Sequence, residues 1–221
     1  YQKKLDHLIL DLDLESSQQM AQLSKAKLQN YSLKNKNAIV YQDEGQIFYE
    51  KEAIIKIAEI PLLGEHNLYN VMPAIMVGKL LQVPTAQIKA AIVNFKGLAH
   101  RLELLAEIKG VKYYDDSIAV NPHATIMAIK SFPKGSVILL AGGYERNQDF
   151  TELAQTIVDY QVKYLVTMPT TGKRLLNSVL ERKKIAHAEA DDLEKAVLLS
   201  QTQAQAGDIV LLSPASASFN S

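Results

Sequence analysis

Ser136-Val137-Ile138-Leu139-Leu140-Ala141-Gly142-Gly143 is the stretch on which the fold turns. An apolar run stopped by two glycines reads as a strand. Downstream, helix-like residues 149–160 and a second β-branched run, 163–167, follow. The pattern then repeats as 172–182, 185–189, 192–204 and 209–212. Upstream, 111–114 reads as a strand and 122–131 as a helix, with Pro122 suited to a first helical turn and Gly207 to a stop. This alternation predicts an α/β fold with a mostly parallel sheet and helices on both faces.

The first half is organised differently. Residues 8–12 read as a strand and 16–26 as a helix. Residues 38–41 and 46–49 read as a hairpin turning at Asp43-Glu44-Gly45. Two helical runs, 69–81 and 85–95, are separated by the turn at Val83-Pro84. A domain boundary is expected near Gly97-Leu98, dividing the chain into 1–97 and 98–221. No internal repeat or low-complexity linker interrupts it.

Twenty-four basic and 24 acidic residues cancel among 221. That balance gives no electrostatic footprint for nucleic acid and favours a small, discrete ligand. The absence of cysteine excludes disulfides, thiolate metal sites and a Cys nucleophile, and fits a reducing compartment. Apolar runs such as residues 136–141 fall far short of the roughly 20 residues of a membrane span. Tyr1-Gln2-Lys3-Lys4 has neither initiator Met nor apolar signal core, and Phe219-Asn220-Ser221 stops just after a strand and turn, so both ends are expected to be cut edges of a longer chain.

In an open α/β sheet, ligands gather beyond the carboxyl ends of the strands, where helix amino termini and loop amides point. Those loops hold Asp115-Asp116-Ser117, Gly142-Gly143-Tyr144-Glu145-Arg146, Pro169-Thr170-Thr171-Gly172-Lys173 and Ser213-Pro214-Ala215-Ser216-Ala217-Ser218. Turn geometry and helix capping alone also place Gly, Ser and Asp at such positions. Thr170-Thr171-Gly172-Lys173-Arg174 is not a phosphate loop, because Thr167 stands where its first Gly belongs and Arg174 where its Ser or Thr belongs. Asp11, Asp13 and Glu15 alternate like a calcium loop, but Leu10, Leu12 and Leu14 interleave as on a strand. The five histidines show no metal-ligand spacing. No nucleophile elbow is present either.

Two motifs change this balance: Gly64-Glu65-His66-Asn67-Leu68-Tyr69-Asn70 opening a helix, and Gly97-Leu98-Ala99-His100-Arg101-Leu102-Glu103 after it. Joined by Asp115-Asp116-Ser117, the Gly142-Gly143-x-x-Arg146 loop and the serine loop ending at Phe219, they resemble the Mur ligase family over roughly residues 60–221. The resemblance implies that 1–97 is the last part of a P-loop-type α/β ATPase domain. It implies that 98–221 is a carboxy-terminal Rossmann-like domain, incomplete at its end. The Ser-Pro-Ala-x-Ala-Ser ending is similar to that of D-glutamate-adding members.

What such a relative would do is join UDP-N-acetylmuramoyl-L-alanine to D-glutamate with ATP through an acyl phosphate, in peptidoglycan synthesis in the cytoplasm. It would work as a monomer, with no nucleic-acid partner. By motif, Asn67, Asn70, Arg101 and Asp116 would contact nucleotide, while Ser117, Arg146, Ser218 and the Phe219 backbone would hold D-glutamate. No catalytic residue or metal ligand is assigned within the chain; the magnesium ligands and phosphate loop are expected upstream, so this chain alone should be inactive. Helix capping for Asn67 and Asn70, and a surface ion pair for Arg101, are the plainer alternatives. The sequence departs from the family at Ile118 and Val120, where Lys and Thr are usual, and so lacks a cation and a hydroxyl that would face the substrate. Another Mur-type ligase related to folylpolyglutamate or cyanophycin synthetase, or a non-catalytic paralogue binding nucleotide or glutamate, are the competing readings.

Overall fold

A computed structural model describes residues 2–217. They form two compact units that divide between Lys96 and Gly97. No helix among the described residues is long and apolar enough to cross a membrane.

The first unit has one five-stranded sheet in the order β1-β2-β3-β4-β5, built from β1 (His7–Asp11), β2 (Lys27–Ser32), β3 (Val40–Asp43), β4 (Gln46–Tyr49) and β5 (Glu52–Lys56). The first three strands run parallel and the last two antiparallel. Glu44 (φ 45°) and Gly45 (φ 76°) make the two-residue connection of the β3–β4 hairpin, where left-handed backbone matches the strand twist. Helix α1 (Glu15–Leu23) ends three residues short of the expected position, because Lys27 already begins β2. Helices α2 (His66–Leu80) and α3 (Thr85–Asn94) cover the sheet. Met72, Ile75 and Met76 of α2 pack against Val40, Ile47, Ile54 and Ile55. The Asp11-x-Asp13 pair ends a strand: Asp13 accepts hydrogen bonds from the Ser32 hydroxyl, the Leu33 N–H and the Tyr69 hydroxyl.

In the second unit the sheet order is β10-β9-β8-β11-β7-β6. Its strands are β6 (Glu103–Ile108), β7 (Val111–Asp115), β8 (Val137–Ala141), β9 (Tyr164–Thr167), β10 (His187–Glu189) and β11 (Ile209–Leu212). All neighbours are parallel except β6 and β7. Helices α4 (Pro122–Lys130), α5 (Thr151–Asp159) and α6 (Gly172–Leu180) pack side by side, and α7 (Leu193–Gln203) packs on β8 and β9. Every residue of β8 is buried, as befits a central parallel strand with helices over both faces. Because side chains alternate across a strand, Ile138 and Leu140 share a cluster with Ala196 of α7, leaving Val137 and Leu139 for the opposite layer.

Candidate functional site

The return of the chain from β10 to β11 inserts the last strand between β7 and β8. The loops after β7, β8, β9 and β11 therefore converge at one end of the sheet, as expected of parallel α/β architecture. Backbone hydrogen bonds stitch them together. Asp116 N–H donates to the Leu212 carbonyl, Gly142 N–H to that of Pro214 and Tyr144 N–H to that of Ala217, while the Thr170 and Thr171 N–H groups share the Gly143 carbonyl. Buried Thr171 and Ser216 hydroxyls lie 2.8 Å apart. Between these loops opens a cavity of about 440 Å³, with Ser117, Gly142, Gly143, Met168, Leu212 and Ser216 among its walls.

The glycines are required by how close the walls stand. A Cβ on Gly143 would lie 2.6 Å from the Ala217 carbonyl oxygen. At Gly172 it would lie 2.8 Å from Thr167 Cβ. This, rather than a phosphate cradle, explains the glycine in Thr171-Gly172-Lys173: it seats α6 against the end of β9.

Asp116 is 1% exposed. Its Oδ1 accepts the Leu102 N–H at 3.2 Å and its Oδ2 the Ser213 hydroxyl at 2.8 Å. Ser213 Oγ also lies 2.9 Å from Thr125 Oγ1 on α4. Burial pushes the Asp116 carboxyl above the usual carboxylate value despite those hydrogen bonds and nearby Arg101. Arg101 is exposed beside it. Ser117 lies on the cavity wall, its N–H donating to Asp115 Oδ1 at 2.8 Å. Arg146, on the loop after β8, is also exposed. In the first unit, Asn67 and Asn70 sit one turn apart on α2. The Asn70 amide donates to Asn67 Oδ1 at 3.1 Å, and Asn67 donates to the Leu63 carbonyl at 2.7 Å. Ser218 and Phe219 lie outside the described residues. The Ser213–Thr125 link and the Thr171–Ser216 pair were missed at the sequence level, where the participating positions looked like ordinary turn and helix residues.

The one group of His, Asp and Glu close enough to hold a metal, among the described residues, is His100, Glu103 and Asp115. These residues already bond one another: His100 Nδ1 is 2.7 Å from Asp115, and Glu103 accepts the His100 N–H at 2.8 Å. Hydrogen bonding to Asp115 raises the His100 pKa above its ordinary value. Burial acting alone would raise Asp115, but hydrogen bonds from His100 and Ser117 hold it below the usual carboxylate value. The raised histidine contributes stability that is complete below the unfolded value of about 6.5 and is lost as pH rises through the folded value. The depressed carboxylate contributes above its unfolded value, and that contribution is lost as pH falls through the folded one. The ion pair is therefore intact between the two folded values. An NMR titration should place the His100 midpoint above that of an unperturbed histidine, and Asp115→Asn should lower it; a midpoint indifferent to that substitution would refute the pairing.

A family profile described as "Mur ligase, glutamate ligase domain" matches residues 100–216. The UDP-N-acetylmuramoylalanine--D-glutamate ligase of Lactococcus lactis subsp. lactis (strain IL1403) is 36% identical over 215 residues, covering 97% of this chain and 47% of the relative. The enzyme of the same name from Caldanaerobacter subterraneus subsp. tengcongensis is 34% identical over 226 residues, covering 99% and 49%. The chain spans about half the length of these relatives. Among solved structures, MurF from Acinetobacter baumannii superposes with a TM-score of 0.72 at 15% identity, over 93% of this chain and 48% of that one. MurF from Thermotoga maritima in complex with ADP gives 0.66 at 16% identity, over 95% and 50%. The structural likeness establishes the fold, and the profile covers the loops whose convergence builds the cavity. On that profile the chain belongs to the Mur ligase family.

Proposed function

We propose that the chain is part of an ATP-dependent ligase that adds D-glutamate to UDP-N-acetylmuramoyl-L-alanine in peptidoglycan synthesis. The observation that carries this reading is the cavity at the carboxyl end of the parallel sheet, walled by Ser117, the Gly142-Gly143 turn and the serine loop. Relatives named for that reaction match along nearly the whole chain.

In this reading the alanyl carboxylate attacks the γ-phosphoryl group of ATP, ADP leaves, and the amine of D-glutamate displaces phosphate from the acyl carbon, losing a proton. Such chemistry depends mainly on positioning and on neutralising charge at the transferring phosphoryl group. Arg101, exposed beside Asp116, supplies a guanidinium for the phosphates. Asn67 and Asn70 offer amides to the nucleotide. Asp116 contributes from behind, by holding Leu102; direct contact with nucleotide would require it to release Leu102 or Ser213. Ser117, Arg146, Ser218 and the Phe219 backbone are assigned to the carboxylates of D-glutamate, and Arg146 can grip one of them with two parallel hydrogen bonds. Magnesium would neutralise phosphate charge when bound. The internally bonded His100–Glu103–Asp115 group is a poor host for it, so its ligands are assigned to other residues of the complete protein.

The complete protein should release phosphate from ATP only when UDP-N-acetylmuramoyl-L-alanine and D-glutamate are both present. Arg146→Ala should raise KM for D-glutamate by about 10- to 100-fold, the effect of losing a hydrogen bond to a charged group. Release with another amino acid in place of D-glutamate would overturn the substrate assignment. Ile118 and Val120, which are 49% and 44% exposed, favour a second reading, a member that binds nucleotide or glutamate without turnover. Ligand binding without phosphate release in the same assay would select it.

A further inference from the structure

Arg174 emerges from the first turn of α6 and makes all its described side-chain contacts to the loop of residues 142–150. Its Nε and Nη2 donate to the two carboxylate oxygens of Glu145, at 3.1 and 2.8 Å. Its Nη1 donates to the Gln148 carbonyl at 2.7 Å. The guanidinium carbon also lies 4.7 Å from the centre of the Phe150 ring. A planar fork with five N–H donors can make these contacts together, which a lysine ammonium cannot. Glu145 in turn accepts the Asn147 N–H at 2.6 Å, and Gln148 donates to the Val120 carbonyl at 3.0 Å. Arg146 lies inside this braced segment.

The base of the clamp is itself fixed. Thr171 donates both its N–H and its hydroxyl to the Gly143 carbonyl, at 3.1 and 3.2 Å. The start of α6 and the start of the loop therefore share one anchor. Arg174 and Glu145 side chains are 46% and 38% exposed, and ion pairs this exposed contribute little to global stability. The contacts of Arg174 instead restrict a loop that would otherwise sample many backbone states.

We propose that Arg174 is a positioning residue, which clamps residues 142–150 so that Arg146 is held in place for the carboxylate of the acceptor amino acid. This inference rests on the reading of Arg146 given above.

The test uses the complete protein carrying Arg174→Ala, Arg174→Lys or Glu145→Gln. Arg174→Ala should raise KM for the acceptor amino acid about 10- to 100-fold, the scale on which small misplacements of a binding group act. KM for ATP and the melting temperature should stay near their parent values. Arg174→Lys should fall between the two, because it keeps the charge and loses the fork; Glu145→Gln should mimic part of the defect without touching α6. In the ligand-free protein, Arg174→Ala should speed amide exchange at Asn147 relative to Ala154. Unchanged exchange would overturn the clamp whatever the enzyme's substrate. Equal losses in acceptor KM, ATP KM and melting temperature would also overturn it, by showing a general structural role. If the parent protein ligates an amino acid other than D-glutamate and Arg174→Ala raises the KM for that acceptor, the clamp stands and the D-glutamate assignment fails.

Discussion

Gly142→Ala should be among the most damaging single-methyl changes in the second unit. Gly142 adopts φ 136°, and a Cβ there would lie 2.2 Å from the Met168 carbonyl oxygen and 2.8 Å from its carbonyl carbon. Both obstacles are backbone, so no side-chain rotation relieves them. The ends of β8 and β9 would have to separate, straining the bonds from Met168 N–H to the Ala141 carbonyl and from Gly142 N–H to the Pro214 carbonyl, at 2.8 and 2.9 Å. Backbone strain of about 1–3 kcal/mol adds to an overpacking penalty of about 1–3 kcal/mol. The expected loss is therefore about 2–6 kcal/mol, a large part of the stability of an ordinary domain. Gly207→Ala is the control: φ is 95°, yet nothing lies within 4 Å of the added carbon, so only the conformational penalty of about 1–2 kcal/mol remains. Urea unfolding of both variants decides the matter. Equal midpoints would show that the close approach of β8 and β9 at Gly142 is not rigid.

The contrast between these glycines also shows how far sequence could reach. The dyad Gly142-Gly143 after an apolar run announced a strand end and a tight turn beside it, because buried strands and turn glycines are local features. The steric demand from Met168 depends on β8 and β9 being neighbours, which only the sheet order reveals. Similar reasons explain the strands that sequence reading passed over. In β6, Leu104, Leu105 and Ile108 are exposed, and a bulge lies between Leu104 and Ala106, so no period-two pattern survives. In β2, Lys27-Leu28-Gln29-Asn30-Tyr31-Ser32 is too polar to resemble the buried parallel strand, and the helical pattern of α1 ran into it. Strand β5 holds only Ile54 and Ile55 as buried apolar residues, adjacent rather than alternating because the register shifts between Ile47 and Phe48 of its partner. Within the candidate site, motif resemblance singled out Arg146 and Asp116. It carried no sign of Arg174, whose partner Glu145 is 29 residues away and follows no helical or strand period. Nor did it reveal that Asp116 is enclosed by Leu102 and Ser213.

That enclosure makes Asp116 the second position where a large effect is expected. Asp116→Ala removes the acceptor for the Leu102 N–H, which no rotation can redirect, and leaves a void behind Ser213. Ser213 Oγ keeps its neighbour Thr125 Oγ1 at 2.9 Å, so one orphaned donor dominates and the expected loss is about 2–3 kcal/mol. Asp116→Asn should be much milder, under about 1 kcal/mol, because its carbonyl oxygen can retain Leu102 while its amide donates to Ser213 and the hydroxyl turns towards Thr125. The two variants also differ in pH response. Burial raises the Asp116 carboxyl in the folded protein, so the fold holds that proton more tightly than the unfolded chain does. The resulting stability is complete below the unfolded carboxylate value, about 3.9, and is lost as pH rises through the folded value. Glu145 behaves oppositely: the hydrogen bond from Arg174 lowers its pKa, and its contribution is lost on acidification. The total stability curve mixes these opposing trends, whereas the difference between the parent protein and Asp116→Asn isolates the buried carboxyl. That difference should move in favour of the asparagine variant as pH rises above the unfolded carboxylate value, then level off beyond the folded one. Parallel curves would mean that Asp116 titrates as an exposed carboxylate, and that its enclosure by Leu102 and Ser213 does not persist in solution.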